Sequence, residues 1–203
     1  MDTLCLFAKW PTPGQVKTRL AAHIGPERAA RLYRRMVEHV VRQTDPAASR
    51  RGYRRVLYGD PPEAAAAFRA WLPAIAEQRS QRGADLGERM ARAFAECAAE
   101  AEPQPPRTCV IGTDCLALDA RDIDAALGAL DFHDMVIGPT RDGGYYLLGL
   151  TVPRPALFTA IAWGTDAVCK ATMHAAAQLR LRVAVLPERR DIDTVQDLPC
   201  AHV

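Results

Sequence analysis

The 203-residue sequence has no pair of cysteines at CxxC spacing and no histidine at a zinc-ligand interval from one. That excludes the common zinc modules. The six cysteines (Cys5, Cys97, Cys109, Cys115, Cys169, Cys200) read instead as small buried hydrophobes of a reducing compartment. The five histidines (His23, His39, His133, His174, His202) form no ligand pattern and no triad with a serine motif. Excess charge of one sign is missing too. Basic residues number 26 and acidic ones 24, a net charge of +2, whereas a nucleic-acid-binding domain is usually strongly basic. No segment approaches the roughly 20 apolar residues that span a bilayer. The opening MDTLCLFAKW lacks the basic start, long apolar stretch and small-residue cleavage site of a signal peptide. The chain is therefore expected in the cytosol, without a nucleic-acid partner.

Repeats and linkers are also lacking, and what remains is a regular alternation. Apolar runs predict strands at Thr3–Ala8, Arg54–Tyr58, Thr108–Gly112, Asp134–Gly138, Tyr145–Leu150 and Val183–Leu186. Helical spacing predicts helices over Pro26–Thr44, Pro61–Trp71, Asp85–Ala101, Ala120–Leu130 and Asp166–Leu179. Asp85 suits an N-cap, and Pro103–Pro106 ("PQPP") stops the helix it opens. Strands alternating with helices imply one α/β domain over residues 1–203, built on a mostly parallel sheet. In such sheets ligands bind beyond the carboxyl ends of the strands.

Several polar clusters follow a strand. In "FAKWPTPGQVKTRL" (Phe7–Leu20) two prolines stiffen the turn and Gly14 permits a positive φ. Lys17 and Arg19 then arrive at a helix start, where free N–H groups favour anions. A phosphate-holding loop and a proline turn before a solvated basic helix both fit. A Walker A loop does not, because Val16 precedes Lys17. In "IGTDCLAL" (Ile111–Leu118) Asp114 is either a turn residue or a carboxylate for a hard divalent cation. Cys115 beside it is expected to pack inward. "GPTRDGGYYLLGL" (Gly138–Leu150) offers Asp142 with Gly143 and Gly144, a hairpin turn or a close approach to a sugar. Tyr145 and Tyr146 should face opposite ways. Trp163 could stack on a sugar or pack. "DIDTVQDL" offers Asp191 and Asp193 on one side of an extended segment, with Thr194 and Asp197 in a capping pattern. The run Arg50–Arg55 ("RRGYRR") reads as a solvated loop entering a strand.

Together these stretches resemble a bacterial family of GT-A-like glycosyltransferases in the nucleotide-diphospho-sugar transferase superfamily. Its pattern is PxPGxVKTRL, QxGxDLGxRM, GTDCPxL, GPxxDGGYYL, WST and DIDTxxDL. Here it appears as Pro11–Leu20, Gln81–Met90, Gly112–Leu118, Gly138–Leu150, Trp163–Thr165 and the closing DIDTVQDL, in order over residues 7 to 198. Leu116 replaces a proline and Gly164 a serine.

The resemblance implies a GT-A-like fold and a metal-dependent transferase acting on a nucleotide-activated sugar and a small-molecule acceptor. Lys17 and Arg19 would hold the phosphates in the loop shaped by Pro13 and Gly14. Gln81, Gly83, Asp85, Leu86 and Gly87 would lie at the base. Asp114 would bind magnesium or manganese, with Asp193 as a second ligand. Asp142, Gly143, Gly144 and Trp163 would lie against sugar or acceptor. Lys17 would neutralise the departing diphosphate, and Asp142 would serve as general base. Nucleotidyl transfer from a nucleoside triphosphate, with release of pyrophosphate, is the competing activity. A non-catalytic nucleotide-binding module is the third reading.

Overall fold

The apolar run behind the first methionine forms β1 (Thr3–Lys9), whose first six residues are all buried. Burial on both faces is what a central parallel strand requires. In the computed structural model, which describes residues 1–100 and 106–197, β1 is followed by α1 (Thr18–Ile24), α2 (Pro26–Gln43), β2 (Arg54–Asp60), α3 (Ala65–Trp71), β3 (Glu77–Ser80) and α4 (Leu86–Ala99). Then come β4 (Thr108–Ile111), α5 (Ala120–Ala129), β5 (Met135–Pro139), β6 (Tyr145–Leu150), α6 (Val168–Gln178) and β7 (Val183–Val185). Ala101, Pro103–Pro105 of the proline stop, Leu198, Cys200 and His202 lie outside the described residues.

The strands form one sheet in the order β3-β2-β1-β4-β6-β5-β7. Every pairing is parallel except those of β6, which runs antiparallel to β4 and β5. The expected mostly parallel α/β architecture is what the structure has. Alternation along β1 splits the core. Leu4, Leu6 and Ala8 face α2, α3 and α5, while Cys5 and Phe7 face α4 and α6. Each fully buried leucine or phenylalanine contributes about 1.5–3 kcal/mol to holding these layers.

Local signals explain most boundaries. Pro26 occupies the first turn of α2, and Tyr33, Met36, Val37, Val40 and Val41 form its buried stripe. Asp85 caps α4 by accepting from Glu88 N at 2.8 Å, and Glu88 Oε2 accepts in return from Ala84 N at 2.9 Å. That reciprocal pair satisfies two otherwise free donors. The run Arg50–Arg55 is indeed a loop entering a strand. Tyr53 is buried with its hydroxyl donating to Thr44 O (3.0 Å), and Arg51 and Arg54 are paired with Asp131, Glu77 and Glu100. The helix start expected at Lys17 and Arg19 is the short α1, whereas the edge strand β3, whose EQRS sequence has no apolar signal, falls outside the sequence expectations.

Because β1, β2, β3, β4 and β5 are mutually oriented, the segments after them open on one rim. Those segments are residues 10–17, 61–64, 81–85, 112–119 and the 140–144 hairpin turn.

Candidate active site

The loop after β1 is fastened before it reaches its charges. Trp10 N donates to Asp60 O (2.6 Å), and Gln15 N closes a turn on Thr12 O (3.0 Å) through Gly14 at φ +78°. Val16 plugs into the core. Lys17 then adopts φ 48°, ψ 47° immediately before α1, a left-handed conformation costly for a residue with a side chain. The reward is its placement. The side chain is only 4% exposed, and its ammonium lies 2.8 Å from Asp114 Oδ1 and 2.6 Å from Asp193 Oδ1. Burial works against its charge, but the two carboxylates outweigh burial and hold its pKa above the ordinary value.

Asp114 reaches this point from β4 through the Gly112-Thr113 step. Tyr33 of α2 braces that step: its hydroxyl accepts from Lys9 N (2.9 Å) and lies 3.2 Å from Thr113 Oγ1. Burial also drives the Tyr33 hydroxyl pKa up to about 12, keeping it a neutral hydrogen-bonding group. Ile192 N donates to Asp114 O (3.1 Å), which lays the late acidic segment along the end of β4. Asp197 holds that segment by accepting from Asp193 N and Thr194 N (3.1 and 2.7 Å). Asp114 Oδ1 is buried against Lys17 without a well-directed hydrogen bond, while the side chain as a whole remains 39% exposed. Its other oxygen therefore supplies the open part. Asp191, which the resemblance leaves without a role, also has a buried Oδ1 lacking a partner. Burial, then the nearby Asp114 and Asp142 carboxylates, push its pKa up to about 7.

Contiguous cavities meet here. One of about 380 Å³ lies over the end of β1 and is lined by Lys9, Lys17, Arg19, Tyr33, Gln81, Leu86 and Asp114, among others. One of about 690 Å³ extends toward the β5–β6 turn and includes Arg19, Leu86, Asp114, Asp142, Gly144, Trp163, Asp191 and Asp193. Pro13 and Gly14 line neither; they are exposed and shape the loop. Gln81 is a brace: its Nε2 donates to Ala8 O (3.2 Å) and Tyr58 O (2.9 Å), tying β1 to β2. Asp85 is the α4 cap. Gly83 is needed because a Cβ there would lie 2.8 Å from Arg89 N. Leu86 is 43% exposed at the junction of the two cavities.

On the far side, Asp142 Oδ1 accepts from Thr140 Oγ1 (2.5 Å) and Gly144 N (3.3 Å). Its second oxygen makes no such bond. Gly143 has φ +86° and its missing side chain lets the turn press on Asp166, while Cys169 N donates to Gly143 O at 2.8 Å. Trp163 packs on Gly87, where a Cβ would come within 2.6 Å of the ring, and its Nε1 is buried without a partner. The indole thus packs on α4 while also lining the larger cavity. Tyr145 and Tyr146 belong to opposite core faces, and Cys115 is packed inward with its thiol pKa pushed up to about 11 by burial.

Among the described residues, no group of three or more His, Cys, Asp or Glu side chains is arranged to hold a metal. A magnesium ion that shares a nucleotide's phosphates needs only one or two carboxylates. Asp114 and Asp193 could supply that donor set, with Asp191 alongside, and the Lys17 ammonium lies between the first two.

A family model described as "Uncharacterized protein conserved in bacteria (DUF2064)" matches residues 43–165. No curated protein matches the chain. Among solved structures, a protein from Desulfovibrio desulfuricans G20, provisionally named a nucleotide-diphospho-sugar transferase, is 34% identical with a TM-score of 0.85, covering 97% of this chain and 85% of that one. A cytidylyltransferase from Leptospira borgpetersenii serovar Hardjo-bovis shares the fold at 11% identity and TM-score 0.61, covering 97% and 83%. So does a Mycobacterium tuberculosis H37Rv protein solved with manganese, at 13% identity and TM-score 0.53, covering 97% and 96%. The fold is that of nucleotide-diphospho-sugar transferases. No described helix is long and apolar enough to cross a membrane.

Proposed function

The chain belongs to the bacterial family DUF2064, and we propose that it is a metal-dependent transferase acting on a nucleotide-activated sugar. The observation that carries this reading is the buried Lys17 ammonium, bridged to Asp114 and Asp193 where the two cavities join. The smaller cavity would take the nucleotide and the larger one the sugar and its acceptor, so the diphosphate would cross the junction. There Lys17 and Arg19 offer positive charge to the departing diphosphate, the largest electrostatic demand of the reaction. A magnesium or manganese ion held by Asp114 and Asp193 would supply Lewis-acid neutralisation of the same charge. Asp142, with one oxygen fixed by Thr140 and Gly144, has its other oxygen available to take a proton from an acceptor hydroxyl. Leu86, which lines both cavities, would offer an apolar wall between the two halves.

The names of the solved relatives support transfer from a nucleotide and span both sugar and nucleotidyl chemistry. The products separate them. Incubation with a panel of nucleotide sugars should release a nucleoside mono- or diphosphate. Pyrophosphate released from any of the four nucleoside triphosphates would replace this reading with nucleotidyl transfer. Nucleotide binding without either product would leave a non-catalytic module.

A further inference from the structure

Lys17 is an unusual phosphate ligand, because its ammonium is already spent. The side chain is 4% exposed and its ammonium lies within 2.8 Å of two carboxylates, so a phosphate has almost no access to it. Nor is the contact incidental. The backbone takes a left-handed conformation at Lys17 itself, Val16 anchors the preceding residue in the core, and Asp197 secures the segment that presents Asp193. Three separate parts of the chain thus converge to place one positive charge between two negative ones.

Resting on the reading above, we propose that Lys17 is an internal stand-in for the divalent cation: it offsets one of the two negative charges of Asp114 and Asp193 when no metal is bound and must leave them for the metal to bind. The released ammonium then becomes available to the diphosphate, so cation and nucleotide would assemble together. Two carboxylates that share one ammonium are half compensated, and a cation reaching them must displace that ammonium or sit beside a like charge. The exposed oxygen of Asp114 and the 36% exposed Asp193 side chain give a cation its approach from the cavity. In this scheme Lys17 lowers the affinity of the nucleotide-free protein for metal. Loss of the lysine should therefore tighten metal binding, opposite to the effect expected of a residue that merely supports the site.

The test is direct Mn²⁺ binding without nucleotide, followed by electron paramagnetic resonance of the free ion and by thermal shift with Mn²⁺ or Mg²⁺. Lys17→Met should bind Mn²⁺ at least about tenfold more tightly than the unmodified protein, a 1.4 kcal/mol difference, and show the larger rise in melting temperature. Lys17→Met/Asp193→Asn should lose that gain. Folded Lys17→Met recovered only in the presence of Mg²⁺ also supports the exchange, and Lys17→Gln provides a milder neutral replacement. Unchanged or weaker Mn²⁺ binding by both Lys17→Met and Lys17→Gln overturns the proposal. So does a gain that survives in the double variant, since Lys17 would then act only at a distance. If the proposal fails in this way while nucleotide binding to the unmodified protein still depends on metal, the transferase reading stands. Metal-independent nucleotide binding counts against that reading instead.

Discussion

At the scale of single residues, the site depends on side chains that brace as much as on those that would touch substrate. Tyr33 is the clearest case. It occupies an ordinary apolar position in the helical pattern of α2, and nothing in that pattern shows that its hydroxyl joins the end of β1 to Thr113. Tyr33→Phe removes the acceptor of the Lys9 N–H inside a buried network, so it should cost about 1–3 kcal/mol in denaturant unfolding. Transferase activity should fall further than stability accounts for, because Thr113 precedes Asp114. A variant equal to the unmodified protein in both measurements would remove Tyr33 from the account. Gln81 teaches a related lesson. Its motif points toward the base, yet both amide hydrogens are committed to Ala8 and Tyr58 carbonyls. Asp191 was visible only as the neighbour of Asp193; its orphaned oxygen depends on the fold of the late segment against β4.

At the scale of elements, legibility follows the strength of the local signal. The α2 stripe and the Asp85 cap are physical instructions contained within a few residues, and both were readable. The strand β3 was not, because a four-residue polar edge strand gets its identity from pairing with β2 rather than from its own composition. The Asp142-Gly143-Gly144 turn was legible as a hairpin, but its docking on the loop before α6 was not, since that contact spans distant sequence. Gly143→Ala tests the docking. The new Cβ meets Asp166 at a positive φ, so backbone strain alone should cost about 1–3 kcal/mol. A lowered melting temperature and lost activity are expected, and an unchanged melting temperature would show that the turn is not seated on this loop.

At the scale of the whole molecule, strand alternation was sufficient for the α/β class, whereas strand order was not accessible. Nothing local says that β6 inserts antiparallel between β4 and β5. The β5–β7 end of the sheet also carries an acid-sensitive tie. Arg182 donates from its side chain and backbone to Asp134, holding that carboxyl down to about 2 from 3.8. A depressed acid contributes stability above its unfolded value and loses it as pH falls toward the folded value. Asp134→Asn should thus be less stable than the unmodified protein at neutral pH, with the two urea midpoints converging between about pH 4 and 2. A gap that stays constant down to pH 2 would contradict this.

The convergence of Lys17, Asp114 and Asp193 on one rim of the sheet is the molecule-scale fact on which the functional account rests. Its most direct test is titration calorimetry of a nucleotide-sugar panel into the unmodified protein and Asp114→Ala, each with and without magnesium. The account predicts magnesium-dependent binding by the unmodified protein that falls at least about tenfold, 1.4 kcal/mol, in Asp114→Ala. Full-strength binding by Asp114→Ala, or binding indifferent to magnesium, would contradict it.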